Sequence, residues 1–138
     1  MNRDSNIYTF LFVGVMVIGI ASILAFTSQT LKPMQTENVK NEKMQNILST
    51  VGINVSREEA KELYSKYITQ ELALKIDGSV NESINPFSDL NLAKEIKKDY
   101  SDQHFPLYIA EIESEKYYII ELRGVGLWDA IWGYMSLK

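Results

Sequence analysis

The 138-residue chain contains no cysteine and only one histidine, His104. Without cysteine there is no disulfide framework, no thiolate-bound zinc or iron–sulfur centre, and no lipid-bearing cysteine near the N-terminus. With one imidazole there is no His-pair metal site, and no Ser/His triad is indicated. Beside Phe105 and Pro106, His104 reads as a loop residue. Positive charge is also scarce: 14 Lys and Arg face 18 Asp and Glu, for a net charge of −4 and a pI near 5.0. The basic residues are scattered, which excludes a nucleic-acid-binding surface. Internal repeats and low-complexity stretches are absent. Charge is missing altogether from residues 7–26, where 16 of 20 residues are apolar. The rest of the chain is about 27% charged, an ordinary soluble composition. Eight Tyr, five Phe and two Trp supply bulk for a core and argue against intrinsic disorder.

Residues 7–26 read IYTFLFVGVMVIGIASILAF. At about 1.5 Å per residue, such a helix covers the roughly 30 Å of a bilayer's hydrocarbon layer. A cleaved signal peptide has an apolar core of about 7–15 residues and a small-x-small site. This run is longer and Ala25-Phe26-Thr27 matches such a site poorly, so an uncleaved anchor is expected. Gly14 and Gly19 are five apart and form no GxxxG face. Arg3, offset by Asp4, precedes the run, while Lys32, Lys40 and Lys43 follow it. By the positive-inside rule these few charges place the following domain in the cytoplasm.

The organisation expected is a short flank (1–6), a transmembrane helix (7–26), a juxtamembrane segment and helix (27–52) and an α+β domain (53–138). Pro33 suits the first turn of a helix. Met44, Ile47, Leu48 and Val51 form an amphipathic stripe that Gly52 stops. Ser56 and Glu59 make a capping box for a helix whose apolar face is Ala60, Leu63, Tyr64, Tyr67 and Ile68. Residues 71–76 alternate as a half-buried strand with Leu72, Leu74 and Ile76 on one face, and Asp77-Gly78 turns the chain. Residues 85–88 are a loop, residues 89–98 a short helix, and Phe105-Pro106 a further loop. Residues 107–112 and 117–122 are rich in aromatic and β-branched side chains and read as a hairpin, followed by a strand over 130–137.

Little in the pattern carries chemistry by itself. Gly124-Val125-Gly126 is not a phosphate loop: position 129 is Asp where GxGxxG needs glycine, and no helix pattern or Walker lysine follows. These glycines read as a tight turn after a strand. Trp128 and Trp132, four apart, would share a face of a strand, as core or as a platform for an aromatic ligand. Glu111, Glu113, Glu115 and Glu121 read as solvated faces of the hairpin. Asn54-Val55-Ser56 and Asn81-Glu82-Ser83 fit the glycosylation sequon, a pattern too short to be specific. No catalytic or metal-binding residue is indicated.

Two stretches resemble the C subunit of the bacterial sodium-translocating NADH:quinone reductase. One is Leu31-Lys32-Pro33-Met34-Gln35 with Asn38, Lys43, Asn46-Ile47-Leu48 and Gly52-Ile53, directly after the apolar run. The other is Pro106-Leu107-Tyr108, Tyr117-Tyr118, Arg123-Gly124-Val125-Gly126-Leu127-Trp128 and Trp132-Gly133-Tyr134. The G subunit of Rnf-type electron-transport complexes shares the Gly-Leu-Trp element and is the nearest alternative. The resemblance implies one membrane helix in the cell inner membrane and a soluble domain on the periplasmic, outer side. It also implies one FMN joined through a phosphoester to a threonine in a Ser-Gly-Ala-Thr motif. Such a protein relays electrons among the other subunits of a complex that oxidises NADH, reduces quinone and exports Na⁺, with the flavin supplying the redox chemistry. Gly126, Leu127 and Trp128 carry over as the positions beside the flavin. On orientation the resemblance is followed over the lysine count.

The chain departs from that pattern in one respect: Ser-Gly-Ala-Thr occurs nowhere in it. Thr27, Thr30, Thr36, Thr50 and Thr69 stand in other contexts. The expectation is therefore a truncated subunit, inactive alone, that holds no FMN covalently and binds it weakly or not at all. The competing expectation is a complete, membrane-tethered, non-enzymatic interaction module.

Overall fold

The computed structural model describes residues 6–138, so Arg3 and Asp4, which weigh on orientation, lie outside the described residues. The fold is α+β, in the order α1 (Asn6–Ser49), α2 (Ala60–Tyr67), β1 (Ile68–Lys75), α3 (Leu92–Glu95), a 3-10 turn (Tyr100–Asp102), β2 (His104–Ile112), β3 (Glu115–Val125) and β4 (Ala130–Leu137). The chain divides into two compact units at Val39/Lys40. In the first unit α1 contains a window of mean hydropathy 2.5, long and apolar enough to cross a membrane. Its side chains from Phe10 to Phe26 are largely exposed, as lipid contact requires.

Pro33 opens no helix; it sits inside α1. A proline there removes one i→i−4 hydrogen bond. Extending a helix that has already formed past one missing bond is easier than nucleating a new one, because nucleation fixes several residues for a single bond. The stop signal behaves as expected. Gly52 has φ +84°, its N–H donates to Ser49 O at 3.1 Å, and Ile53 N–H donates to Leu48 O at 3.1 Å. These two bonds make a Schellman cap, whose positive φ favours glycine. The capping box is also present: Ser56 N–H donates to Glu59 Oε2 and Glu59 N–H to Ser56 Oγ, both at 3.4 Å. It stands one turn ahead of α2 proper.

The second unit, Lys40–Lys138, is built on a four-stranded antiparallel sheet in the order β1-β2-β3-β4. The β2–β3 hairpin turns on Glu113 (φ 52°) and Ser114 (φ 68°). Positive φ at both central residues matches the strand twist, although neither is the glycine or asparagine such turns favour. Phe105 and Pro106 are part of β2, not of a loop. β3 pairs with β2 only from Leu107 onward, so the missing proline N–H falls where β2 has a single neighbour. His104, too, is the first residue of β2.

Register assigns each residue to one of two faces. Opposed pairs Ala73–Pro106, Glu71–Tyr108, Tyr108–Ile119, Glu121–Tyr134 and Ile119–Ser136 line one face. There the end of α1 and α2 seat Ile47, Leu48 and Tyr64 on Tyr108, Ala110 and Ile119, and these six form the core. Ile47, Leu48, Tyr108 and Ile119 are fully buried, each contributing about 1.5–3 kcal/mol of transfer free energy. Hydrogen bonds fasten the layer: Gln45 Nε2 donates to Val55 O at 2.7 Å, and Ser136 Oγ to Thr50 O at 2.7 Å. Leu72, Leu74, Leu107, Ile109, Ile120, Leu122, Met135 and Leu137 line the opposite face. The expected alternation in β1 is therefore correct in period, but the residue it seats in the core is Ala73, not a leucine. Leu122, Met135 and Leu137 are 42–49% exposed.

Candidate functional site

The site indicated by the sequence is the β3–β4 turn. Strand β3 ends at Val125 and β4 begins at Ala130, with rungs Val125–Ala130, Gly124–Ile131 and Leu122–Gly133. Gly126 closes the turn through its N–H, which donates to Asp129 O at 3.0 Å. A Cβ there would strike that carbonyl and lie 2.9 Å from Ile131 Cγ1, so close backbone approach demands glycine. Leu127 and Trp128 project from the turn at 92% and 95% exposure. Trp128 is outside the strand, so it does not share a strand face with Trp132.

Next to the turn lies a hollow of about 440 Å³ lined by Leu122, Arg123, Gly124, Ile131, Trp132, Gly133 and Tyr134. Its volume falls in the range of small-molecule sites. Gly124 and Gly133 both belong to the uncovered sheet face, and a Cβ on either would meet nothing within 4 Å. The two glycines leave bare backbone between Leu122 and Ile131. Such a floor fits a flat, largely apolar ring, while the register turns the Arg123, Trp132 and Tyr134 side chains toward the opposite face. A second hollow of about 300 Å³ shares Trp132, Gly133 and Tyr134 and adds Asn46, Ser49 and Thr50 from the end of α1. Leu127 and Trp128 line neither hollow. Of the three expected site residues, Gly126 shapes the turn and the other two stand beside the hollow in sequence only. Gly124 and Gly133 are what the sequence reading missed as site residues; Trp132 it had named, with Trp128, as core or as a platform for an aromatic ligand. Folding residues 122–133 about the 126–129 turn would have found them, since that pairing sets the glycines beside Leu122 and Ile131.

Beneath the covered face lies a polar cluster. Lys43 Nζ donates to Phe87 O at 3.1 Å and stands 4.9 Å from the Phe87 ring centroid and 5.7 Å from that of Tyr108. Burial pushes its pKa down, against the upward pull of the Glu121 and Glu71 carboxylates. Glu121 is half-buried rather than solvated, and burial pushes its carboxyl up, against Lys43 and Arg123. Tyr64 donates to Glu71 Oε1 at 2.8 Å. Burial drives the Tyr64, Tyr108 and Tyr134 phenols upward, so none of them gives up a proton near neutral pH. Glu115 is held below the usual carboxylate range by hydrogen bonds from Lys138 and Tyr117. Among the described residues no three His, Cys, Asp or Glu side chains are grouped to hold a metal ion.

No protein-family model matches the chain. It is 25% identical, over 158 aligned positions, to the C subunit of the Na(+)-translocating NADH-quinone reductase of Pseudomonas aeruginosa, covering 99% of this chain and 60% of that protein. Its fold is similar to the crystal structure of the C subunit of the same reductase from Parabacteroides distasonis, with a TM-score of 0.69 and 30% identity over 78% of this chain and 51% of that one. The chain thus spans between half and three-fifths of the length of these relatives. The resemblance to the reductase's C subunit holds in sequence and in fold.

Proposed function

We propose that this chain is the membrane-anchored portion of a flavoprotein subunit of a respiratory complex that passes electrons from NADH to quinone with export of Na⁺. The observation that carries this reading is the match to a reductase C subunit along 99% of the chain. The long apolar helix at the start supports a membrane position. In this reading the domain lies outside the inner membrane and meets the other subunits of the complex. FMN, where bound, supplies one- and two-electron chemistry that no side chain here can perform. The chain's own part would be to seat the ring: Gly124 and Gly133 would give it a flat floor, Leu122 and Ile131 on the same face would exclude water, and Gly126 fixes the turn that carries Leu127 and Trp128. Residues 1–138 offer no threonine in a Ser-Gly-Ala-Thr context. Binding by these residues is therefore reversible, and stacking on one tryptophan adds only about 0.5–1.5 kcal/mol beyond area burial.

The test is titration of FMN into the detergent-solubilised chain, read by the fluorescence of its two tryptophans. Saturable quenching that is lost on Gly133→Leu supports the flavin reading, and Trp128→Phe and Trp132→Phe tell which indole faces the ring. A flavin band on a denaturing gel would overturn the reversible mode. Absence of quenching at millimolar FMN would overturn the ring-seating role given to these residues. Orientation is open to a clean measurement because the chain has no native cysteine. The Ser83→Cys variant should react with a membrane-impermeant maleimide in intact cells.

A further inference from the structure

The single histidine occupies a junction of three segments, and its hydrogen bonds specify its protonation state. The His104 ring receives Asn81 Nδ2 at 3.1 Å on Nε2 and faces Asp102 O at 3.0 Å through Nδ1. A carbonyl only accepts, so Nδ1 carries the proton. The Asn81 amide is oriented independently, because its Oδ1 accepts the Ser83 N–H at 3.1 Å. Its NH₂ therefore points at the ring, and Nε2 must be the acceptor. Both ring nitrogens are thus satisfied only in the neutral Nδ1–H form. We propose that His104 is a protonation-controlled latch: neutral, it holds the segment after β1 to the head of β2 through Asn81, and charged, it lets that segment go.

A second proton would place Nε2–H against the Asn81 NH₂, donor against donor. Relief requires either that Asn81 swing away or that its amide turn over. Turning over takes Oδ1 from the Ser83 N–H, so both routes disturb Ser83. The Asn81 backbone stays pinned, since its N–H donates to Ala73 O at 2.8 Å. What loosens is the crossing from Glu82 toward Pro86. The charged groups around the ring are few. Glu95, 4% exposed, accepts the His104 backbone N–H at 3.1 Å and lies 3.9 Å from Nδ1. Its own charge is met by Lys98 at 2.7 Å. Lys75 stands opposite His104 in the β1–β2 register. Asp102 contributes its carbonyl, while its carboxylate accepts from Ser101 Oγ at 3.3 Å. Imidazole is the side chain suited to switching between about pH 5 and 8.

The measurement is nuclear magnetic resonance of the full chain in detergent, labelled at histidine, asparagine and serine, where the lone imidazole gives one unambiguous signal. At about pH 8 the ring nitrogens should show the Nδ1–H tautomer. On acidification to about pH 5, the Asn81 side-chain NH₂ and the Ser83 amide should shift with the same midpoint as the ring, and Ser83 should exchange about tenfold faster once normalised for pH. In Asn81→Asp the carboxylate can accept from the charged ring and from Ser83 together, so Ser83 should keep its protection at low pH. An Nε2–H tautomer at about pH 8, or a Ser83 amide that ignores the ring's titration, overturns the latch. The wild-type titration decides the matter even if the variant fails to fold.

Discussion

The two faces of the sheet are made of similar residues and meet different surroundings. On one, Tyr108, Ala110 and Ile119 are sealed under α1 and α2; on the other, Leu122, Met135 and Leu137 remain open to solvent. Side-chain type does not distinguish them, since each strand alternates apolar residues onto both. What differs is that one face has a helical layer and the other, among the described residues, has none. The glycine-floored hollow and the projecting turn lie at one end of that open face, so the candidate site sits where the apolar surface is least defended.

The contrast can be broken most directly by truncation. Tyr108→Ala should cost about 3–5 kcal/mol, because a large ring leaves a cavity under the helices. Leu122→Ala, equally apolar but uncovered, should stay within about 0.5 kcal/mol. Chemical unfolding of the full chain, followed by near-ultraviolet circular dichroism, measures both. Equal losses would mean that the open face is covered. The glycines offer a smaller, two-signed test. Gly126→Ala should destabilise by about 1–3 kcal/mol through overpacking against Asp129. Gly133→Ala, which meets open space, should stabilise by up to about 1 kcal/mol by removing a strand glycine. Thermal unfolding reads each sign. Tyr64→Phe removes the bond to Glu71 from the covered face and should cost about 1.5 kcal/mol, the lower end for a bond to a charged acceptor.

The smallest effect expected is on pH dependence. Burial raises the Glu121 carboxyl, so the folded chain holds that proton more firmly than the unfolded chain does. Its contribution therefore grows as pH falls through the raised value and is complete below the ordinary value of 4.5. Asp77 has the opposite sign: bonds from Ser79 hold its carboxyl low, giving stability that is present above 3.8 and lost as pH falls further. Between neutral pH and about pH 5, Glu121→Gln should lose the wild type's upward trend, whereas Ser79→Ala should cost a constant amount over that range, a loss that fades only in more acid solution. Unfolding midpoints across that range separate the two.

Much of this was legible in the chain because local chemistry suffices for it. Gly52 needs a positive φ, Ser56 and Glu59 satisfy each other across one turn, and residues 107–112 and 117–122 alternate as strands must. The misreadings share a cause. Pro33 looked like a start because the rule for proline is local, yet the helix around it is cooperative. Glu121 looked solvated because its spacing gives no hint of Lys43 above it, 78 residues earlier in the chain. His104 looked like loop because the residues that satisfy it, Asn81, Glu95 and Asp102, converge only after folding.

By itself the sequence determined the anchor-length apolar helix, the hairpin, the glycine turn and the family resemblance, since each depends on residues close together or on a motif quoted intact. The tertiary structure decided which side of each strand is core. Alternation fixes that neighbours point opposite ways, but only the helical layer over Ala73, Tyr108 and Ile119 selects the side. It decided as well that Gly124 and Gly133 form one floor beside Leu122 and Ile131, with Trp132 turned to the other face of β4. Cross-strand register, a relation between distant residues, places them there.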